Sequence, residues 1–246
     1  MTAPIGLQLY SIRENLTEDF TGGIERIAAM GYTGVETAGF PEGVTPEDAK
    51  TLFNDLGLTV TSSHSPLPLG DEAQKILDTL AAIECPHLVS PWTSPDYYTS
   101  EEKIVEQAEI FNQVYTVAAQ NGMKFSIHNH AFEFALVDGV PAMQILKKYL
   151  DPGVKFQLDT YWIKVAGQDP AQVVADFGPR SPLLHIKDGP ATPDGDMTAV
   201  GDGVMDVPRI IKAGAPHTAW LIVELDRCAT DMMEAVEKSF HYLASL

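Results

Sequence analysis

Three aliphatic runs carry an acid or a base two residues from a second polar group: Gln157 and Asp159 in KFQLD, His185 and Lys187 in LLHIKD, Glu224 and Asp226 in WLIVELD. In an extended segment that spacing puts the polar groups on one side and Phe156, Leu158, Leu184, Ile186, Val223 and Leu225 on the other. Applied to earlier aliphatic runs, the rule turns Gln8, Glu36, His64, His128 and His130 to the same side. Carboxylates gathered in one interior need a shared counter-charge, because burying an unpaired carboxylate is costly. Lys187 is a single cation set against Glu133, Asp159, Glu224 and Asp226, so a divalent metal ion is the expected partner. A divalent ion held there could act as a Lewis acid, and carboxylates and imidazoles beside it could move protons.

The elements that must position these residues repeat about eight times: a short aliphatic run, a polar loop, a helical stretch. Strands are predicted at 4–10, 33–37, 58–64, 87–90, 124–130, 155–159, 183–188 and 220–226. Between them, 17–30 places Phe20, Ile24, Ile27 and Ala28 on one helical face, and 101–119 does the same with Ile104, Ala108, Phe111, Val114, Tyr115 and Ala118. Thr45 followed by Pro46, Glu47 and Asp48 reads as a capped helix start. Gly31, Gly57, Gly122 and Gly153 stand where helices should end in a left-handed residue. Alternating strands and helices predict a parallel sheet, and eight units predict a closed (β/α)₈ TIM barrel forming a single domain over 1–246. An open doubly wound sheet is the alternative, but no G-x-G-x-x-G follows the first strand. The segments 90–100, 131–141 and 189–205 follow strands and are expected to select the substrate.

Composition narrows the function classes. Sixteen basic against thirty-four acidic residues give a formal charge of −18, which opposes nucleic-acid binding because phosphate contacts dominate that affinity. No apolar run approaches membrane-spanning length and no signal peptide is visible. Two distant cysteines argue against a disulfide framework, and a cytoplasmic location is expected. Oligomeric state is not legible.

The segments GLQLYSIR (6–13), GYTGVE (31–36), IHNHAFEF (127–134), LDTYW (158–162), LLHIKD (183–188), VGDG (200–203) and IVELD (222–226) together resemble the xylose isomerase-like superfamily, in particular its sugar-phosphate isomerase/epimerase branch. The resemblance implies a metal site of a glutamate, an aspartate, a histidine and a second glutamate, here Glu133, Asp159, His185 and Glu224. It also implies Glu133 and Glu224 as the catalytic acid/base pair, and a small sugar or polyol as the partner. Three oxygen donors and one imidazole suit one divalent ion, Mn²⁺ first, then Mg²⁺, Co²⁺ or Zn²⁺. Epimerase relatives carry a substrate-binding histidine three residues after the aspartate; here Trp162 stands there, which counts against 3-epimerisation.

His64, His128, His130, Lys187, Trp162 and Glu36 are the expected substrate-binding groups. Plainer readings stand beside these: Glu36 as a packing carboxylate, Lys187 as a neutraliser of the acids, His64 as a structural residue and Trp162 as core, while the H-x-H pair, which can bind zinc in hydrolase barrels, reads as support or substrate contact ahead of ligation. Asp226 reads equally as support or as a loop acid. Trp92 and Tyr161 are candidates for the pocket wall. The function expected is a metal-dependent isomerase or epimerase that removes a proton α to a carbonyl through an enediolate. Alternatives are a dehydratase of a keto-inositol or keto-sugar, a metal-dependent hydrolase of the endonuclease IV type, and a non-catalytic sugar-binding barrel.

Overall fold

A computed structural model describes residues 3–246 of the protein. Eight strands form a closed parallel barrel: β1 (Ile5–Gln8), β2 (Gly34–Thr37), β3 (Thr59–His64), β4 (His87–Ser90), β5 (Lys124–His128), β6 (Lys155–Asp159), β7 (Leu183–Ile186) and β8 (Trp220–Val223). The ring closes where β1 pairs β8, with Gly6 opposite Ile222 and Leu7 opposite Val223. The predicted strands fall in the right places, but several run too long. Ladder pairing ends at Gln8, His128, Ile186 and Val223. Thus His130, Lys187, Glu224 and Asp226 lie just past strand ends, where the backbone leaves the ladder to form the loops of the site.

The alternation inferred from sequence separates two cores. Outward residues of the strands pack under the helices; Leu7, Phe125, Phe156, Leu158, Leu184 and Val223 are completely buried there. Each large apolar side chain removed from water contributes about 1.5–3 kcal/mol. Inside the ring a separate small cluster of Val89, Leu183 and Ile222, backed by Trp220, fills the N-terminal half. Gly34 makes room for it, since a Cβ there would lie 2.7 Å from the Trp220 ring. The C-terminal half of the interior is left to the polar residues.

The helical expectations hold at Phe20–Met30 and Glu101–Gln120, and Thr45 Oγ1 accepts from Asp48 N as the cap of Pro46–Asp55. Gly31, Gly57 and Gly122 are left-handed as expected, whereas Gly153 is not. At Gly153 the need is space: a Cβ would collide with the Tyr115 hydroxyl. Of the three long loops, 131–141 folds into a turn of 3₁₀ helix (Phe132–Phe134) and a small hairpin pairing Leu136–Val137 with Val140–Pro141. The loop 189–205 is tied down by Asp188, whose buried carboxylate accepts from the backbone N–H groups of Gly189, Gly201 and Met205. Gly203 packs flat against that carboxylate, which accounts for the glycines of VGDG. No helix among the described residues is long and apolar enough to cross a membrane.

Candidate active site

At the C-terminal mouth of the barrel a cavity of about 530 Å³ is lined by Tyr10, His64, Trp92, His128, His130, Trp162, Glu224, Asp226 and Arg227, among others. Its floor is built from the inward residues of six strands. Glu36, on β2, is completely buried and lies beneath the histidines as a hub. Its Oε1 accepts from Gln8 Nε2 at 2.6 Å and lies 2.6 Å from His185 Nε2. Its Oε2 accepts from Ser62 Oγ and from Gln157 Nε2. Gln157, on β6, turns its Oε1 to His64 Nε2 at 2.6 Å and to His128 Nδ1 at 3.0 Å. These bonds leave His128 Nε2 and His185 Nδ1 facing the two carboxylates above them. His128 Nε2 is 3.9 Å from Asp159 Oδ2, and His185 Nδ1 is 2.8 Å from Glu224 Oε2.

Four donor atoms, one each from His128, Asp159, His185 and Glu224, lie within 4.8 Å of one another. All four residues are buried. Asp159 caps the following helix through Oδ1, which accepts from Trp162 N; its Oδ2 is buried without a hydrogen bond, although Lys187 Nζ stands 2.9 Å away. A buried carboxylate oxygen left in that state, beside two imidazoles and a second carboxylate, fits a divalent cation.

Charge is balanced within the cluster by two cations. Lys187 Nζ lies 2.9 Å from Asp159, 2.7 Å from Glu224 and 2.9 Å from Asp226. Burial alone would lower its pKa, but those carboxylates raise it well above the usual lysine value. Burial works the same way on His185 and is likewise outweighed, here by Glu36 and Glu224, which raise its pKa to about 10. Glu36, where burial is opposed by His64 and His185, is lowered to about 2. Glu224 is held well below the carboxylate range by Lys187 and His185 against the effect of burial. His128 is different: burial, reinforced by His185 and His64, holds it well below 6.5 and therefore neutral, the form in which imidazole ligates metals.

The structure gathers Asp159, His185 and Glu224 as the sequence predicts, but it does not bring Glu133 to them. Glu133 follows the end of β5 on the 3₁₀ turn, where two-residue alternation no longer applies. Its Oε2 accepts from His130 N at 2.8 Å, and its Oε1 lies 3.6 Å from His130 Nδ1, both of these facing atoms otherwise unbonded. His128, the last residue of β5, stands at the fourth position instead. Of the predicted substrate groups, His64, His128, His130 and Trp162 line the cavity. Glu36 and Lys187 do not: the first lies under the imidazoles, the second is enclosed by carboxylates and 1% exposed. Trp92 is on the rim, 58% exposed, whereas Tyr161 is wholly buried in the outer core. Sequence reasoning missed Tyr10 and Arg227. Their only signal is position, one two residues past the end of the first strand and one directly after Glu224-Leu225-Asp226.

The sequence profile of the xylose isomerase-like TIM barrel family matches residues 24–246. A solved structure from Parabacteroides distasonis, described as a sugar phosphate isomerase/epimerase, is 29% identical, with 99% of this chain and 94% of that one superposed at a TM-score of 0.84. An L-ribulose 3-epimerase is 13% identical, covering 99% and 94%, at 0.71. A Bacillus anthracis protein described as a probable 3-DHS dehydratase is 15% identical, covering 98% and 98%, at 0.76. These last two likenesses speak for the fold. Among curated proteins none matches significantly.

Proposed function

The chain belongs to the xylose isomerase-like TIM barrel family, and on that premise we propose that it is a divalent-metal-dependent enzyme removing a proton α to a carbonyl in a sugar or keto-polyol. The observation that carries this reading is the convergence of His128, Asp159, His185 and Glu224 at the floor of the cavity, where Asp159 Oδ2 makes no hydrogen bond of good geometry and faces the Lys187 ammonium. When bound there, a divalent ion would supply Lewis-acid polarisation of the carbonyl and a neighbouring hydroxyl. Glu224 is the cluster carboxylate that both converges with the donors and lines the cavity, so it takes the proton. Trp92, Trp162 and Tyr10 offer aromatic faces to the carbon skeleton.

Epimerisation needs a second group to return the proton on the opposite face. Glu133 does not line the cavity, but His130, against which it rests, does. This asymmetry between a carboxylate on one strand end and an imidazole on another also favours a second reading. In dehydration the proton leaves to Glu224 and the second group protonates a departing hydroxyl. Incubation with a keto-sugar and keto-cyclitol panel in D₂O tests both. The expected result is α-deuterium exchange that needs Mn²⁺ and is lost in Glu224→Gln with the fold intact. Loss of water would select the dehydratase. Exchange retained in Glu224→Gln would reject the role of Glu224.

A further inference from the structure

Glu36 neither lines the cavity nor is one of the four converging groups, yet every group facing it is a hydrogen-bond donor. The orientation of this network is pinned at one end by the main chain. Gln8 Oε1 accepts from Tyr10 N at 3.0 Å, so Gln8 presents its amide NH₂ to Glu36 Oε1. At the other end Glu36 can only accept, so Gln157 must turn its NH₂ toward it and its carbonyl toward His64 and His128. Both imidazoles must then donate to that carbonyl. His128 is therefore the Nδ1–H tautomer with a lone pair on Nε2, whereas His185 keeps its Nε2 proton toward Glu36, so that the proton a cation would displace from it is the one on Nδ1, shared with Glu224.

We propose that Glu36, directly and through Gln157, is the positioning residue that decides which nitrogen His128 and His185 present, and so makes a site of two imidazoles and two carboxylates. This inference rests on the metal-site reading given above, with His128 taking the place that the sequence resemblance gives to Glu133. Carboxylates that hold a ligand histidine by its far nitrogen commonly matter about 10- to 100-fold in metal affinity. Here one carboxylate reaches two ligands, one of them by relay.

The geometry makes a specific demand on Glu36→Gln. The Gln8 amide is fixed by Tyr10 N, so the new side chain must keep its carbonyl at the Oε1 position and turn its NH₂ toward Ser62 and Gln157. The Ser62 hydroxyl can rotate, but Gln157 has to flip. Its NH₂ then faces His64 and His128, and His128 must exchange tautomers, placing a proton on the nitrogen that faces Asp159. The double variant Glu36→Gln with Gln157→Glu returns an acceptor to His64 and His128 and restores the original tautomer.

Two readouts test this on the full chain. Long-range ¹H–¹⁵N correlation of ¹⁵N-histidine-labelled protein assigns tautomers without metal: His128 is expected as Nδ1–H in the native chain, Nε2–H in Glu36→Gln, and Nδ1–H again in the double variant. Titration with Co²⁺, followed by its d–d absorption, is expected to weaken about 10- to 100-fold in Glu36→Gln and to recover in the double variant. A native His128 carrying its proton on Nε2 would overturn the inference, whatever the fold of the variants. So would unchanged Co²⁺ affinity in Glu36→Gln, or failure of the double variant to recover. Expected tautomers in a native chain that binds neither Co²⁺ nor Mn²⁺ would uphold the positioning by Glu36 and refute the metal-dependent function.

Discussion

Lys187 offers the sharpest test of the electrostatic reading, because removing it should weaken the fold and strengthen metal binding at once. In Lys187→Met the volume is nearly kept, but Asp159, Glu224 and Asp226 lose a cation that lies within 3.0 Å of each. Stripping one partner from a buried ion pair costs about 3–5 kcal/mol, since the remaining charge stays buried and unpaired. For a chain of this size that corresponds to a fall of about 6–20 °C in Tm, at about 2–4 °C per kcal/mol. A divalent cation among the same carboxylates would replace the lost charge and no longer meet repulsion from the ammonium group. Metal affinity should therefore rise by at least about tenfold, or 1.4 kcal/mol. At a metal concentration of 100 Kd the native chain gains about 2.7 kcal/mol from binding, and the variant should gain more at the same concentration. Urea unfolding in EDTA and in Mn²⁺ measures both. A variant that loses less than about 1 kcal/mol in EDTA, or whose gain from Mn²⁺ is no larger than that of the native chain, would refute the assignment of Lys187 as the counter-charge of the cluster.

Two further predictions follow from the same geometry. Replacing an imidazole by a carboxylate in His128→Glu should move preference from Zn²⁺ and Co²⁺ toward Mg²⁺ and Mn²⁺, since nitrogen donors favour the former; competition dialysis with elemental analysis would show an unchanged ranking if His128 is not a ligand. His87, at the start of β4, is buried against Ser126 Oγ at 2.7 Å, and its pKa is lowered to about 3 chiefly by burial, with Lys124 adding to it. The unfolded chain binds a proton near pH 6.5 that the folded chain refuses, so this contribution is complete above pH 6.5 and is lost as pH falls toward 3. The loss is on the order of a few kcal/mol, and His87→Gln should flatten the stability–pH profile in that window. An unaltered slope in urea unfolding between pH 6.5 and 4 would contradict it.

How much of this was legible in the sequence depends on where alternation applies. Asp159 and His185 sit inside ladders, and Glu224 one residue beyond, so a two-residue period was enough to place them. The same rule placed His128 inward as well. What it could not show was that His128 is opposite Gln157 in the β5–β6 register, and that this pairing seats it among the donors. Register between strands is set by packing and leaves no local mark. Glu133 was assigned through the resemblance, but it lies on a turn whose direction is set by the hydrogen bond to His130 N. Glu36 looked like a lone acid because its partners, Gln8, Ser62, Gln157 and His185, come from four other strands. Asp188 looked like the end of a strand, whereas its carboxylate organises the following loop.

On the proposed function, the state of Glu224 constrains which half of the reaction it would perform. Lys187 and His185 together hold its carboxyl well below the ordinary range, so at neutral pH it is an ionised acceptor. A carboxylate of such low basicity removes a carbon-bound proton only when the adjacent carbonyl is strongly polarised, since proton transfer follows the match of donor and acceptor strength. The same pair of cations that orders Glu224 thus ties its use to electrophilic assistance at the carbonyl. Where a proton is needed on the opposite face or at a departing hydroxyl, it comes from another group on the wall. His130 is placed for that: its ring is stacked on Phe132, with centroids 5.5 Å apart, its Nδ1 faces Glu133, and its ring lines the cavity. A site of this kind has one acceptor and one donor of different chemical type. That difference favours an outcome in which the proton and the returning or departing group are handled at different places, over symmetrical exchange between two equivalent glutamates.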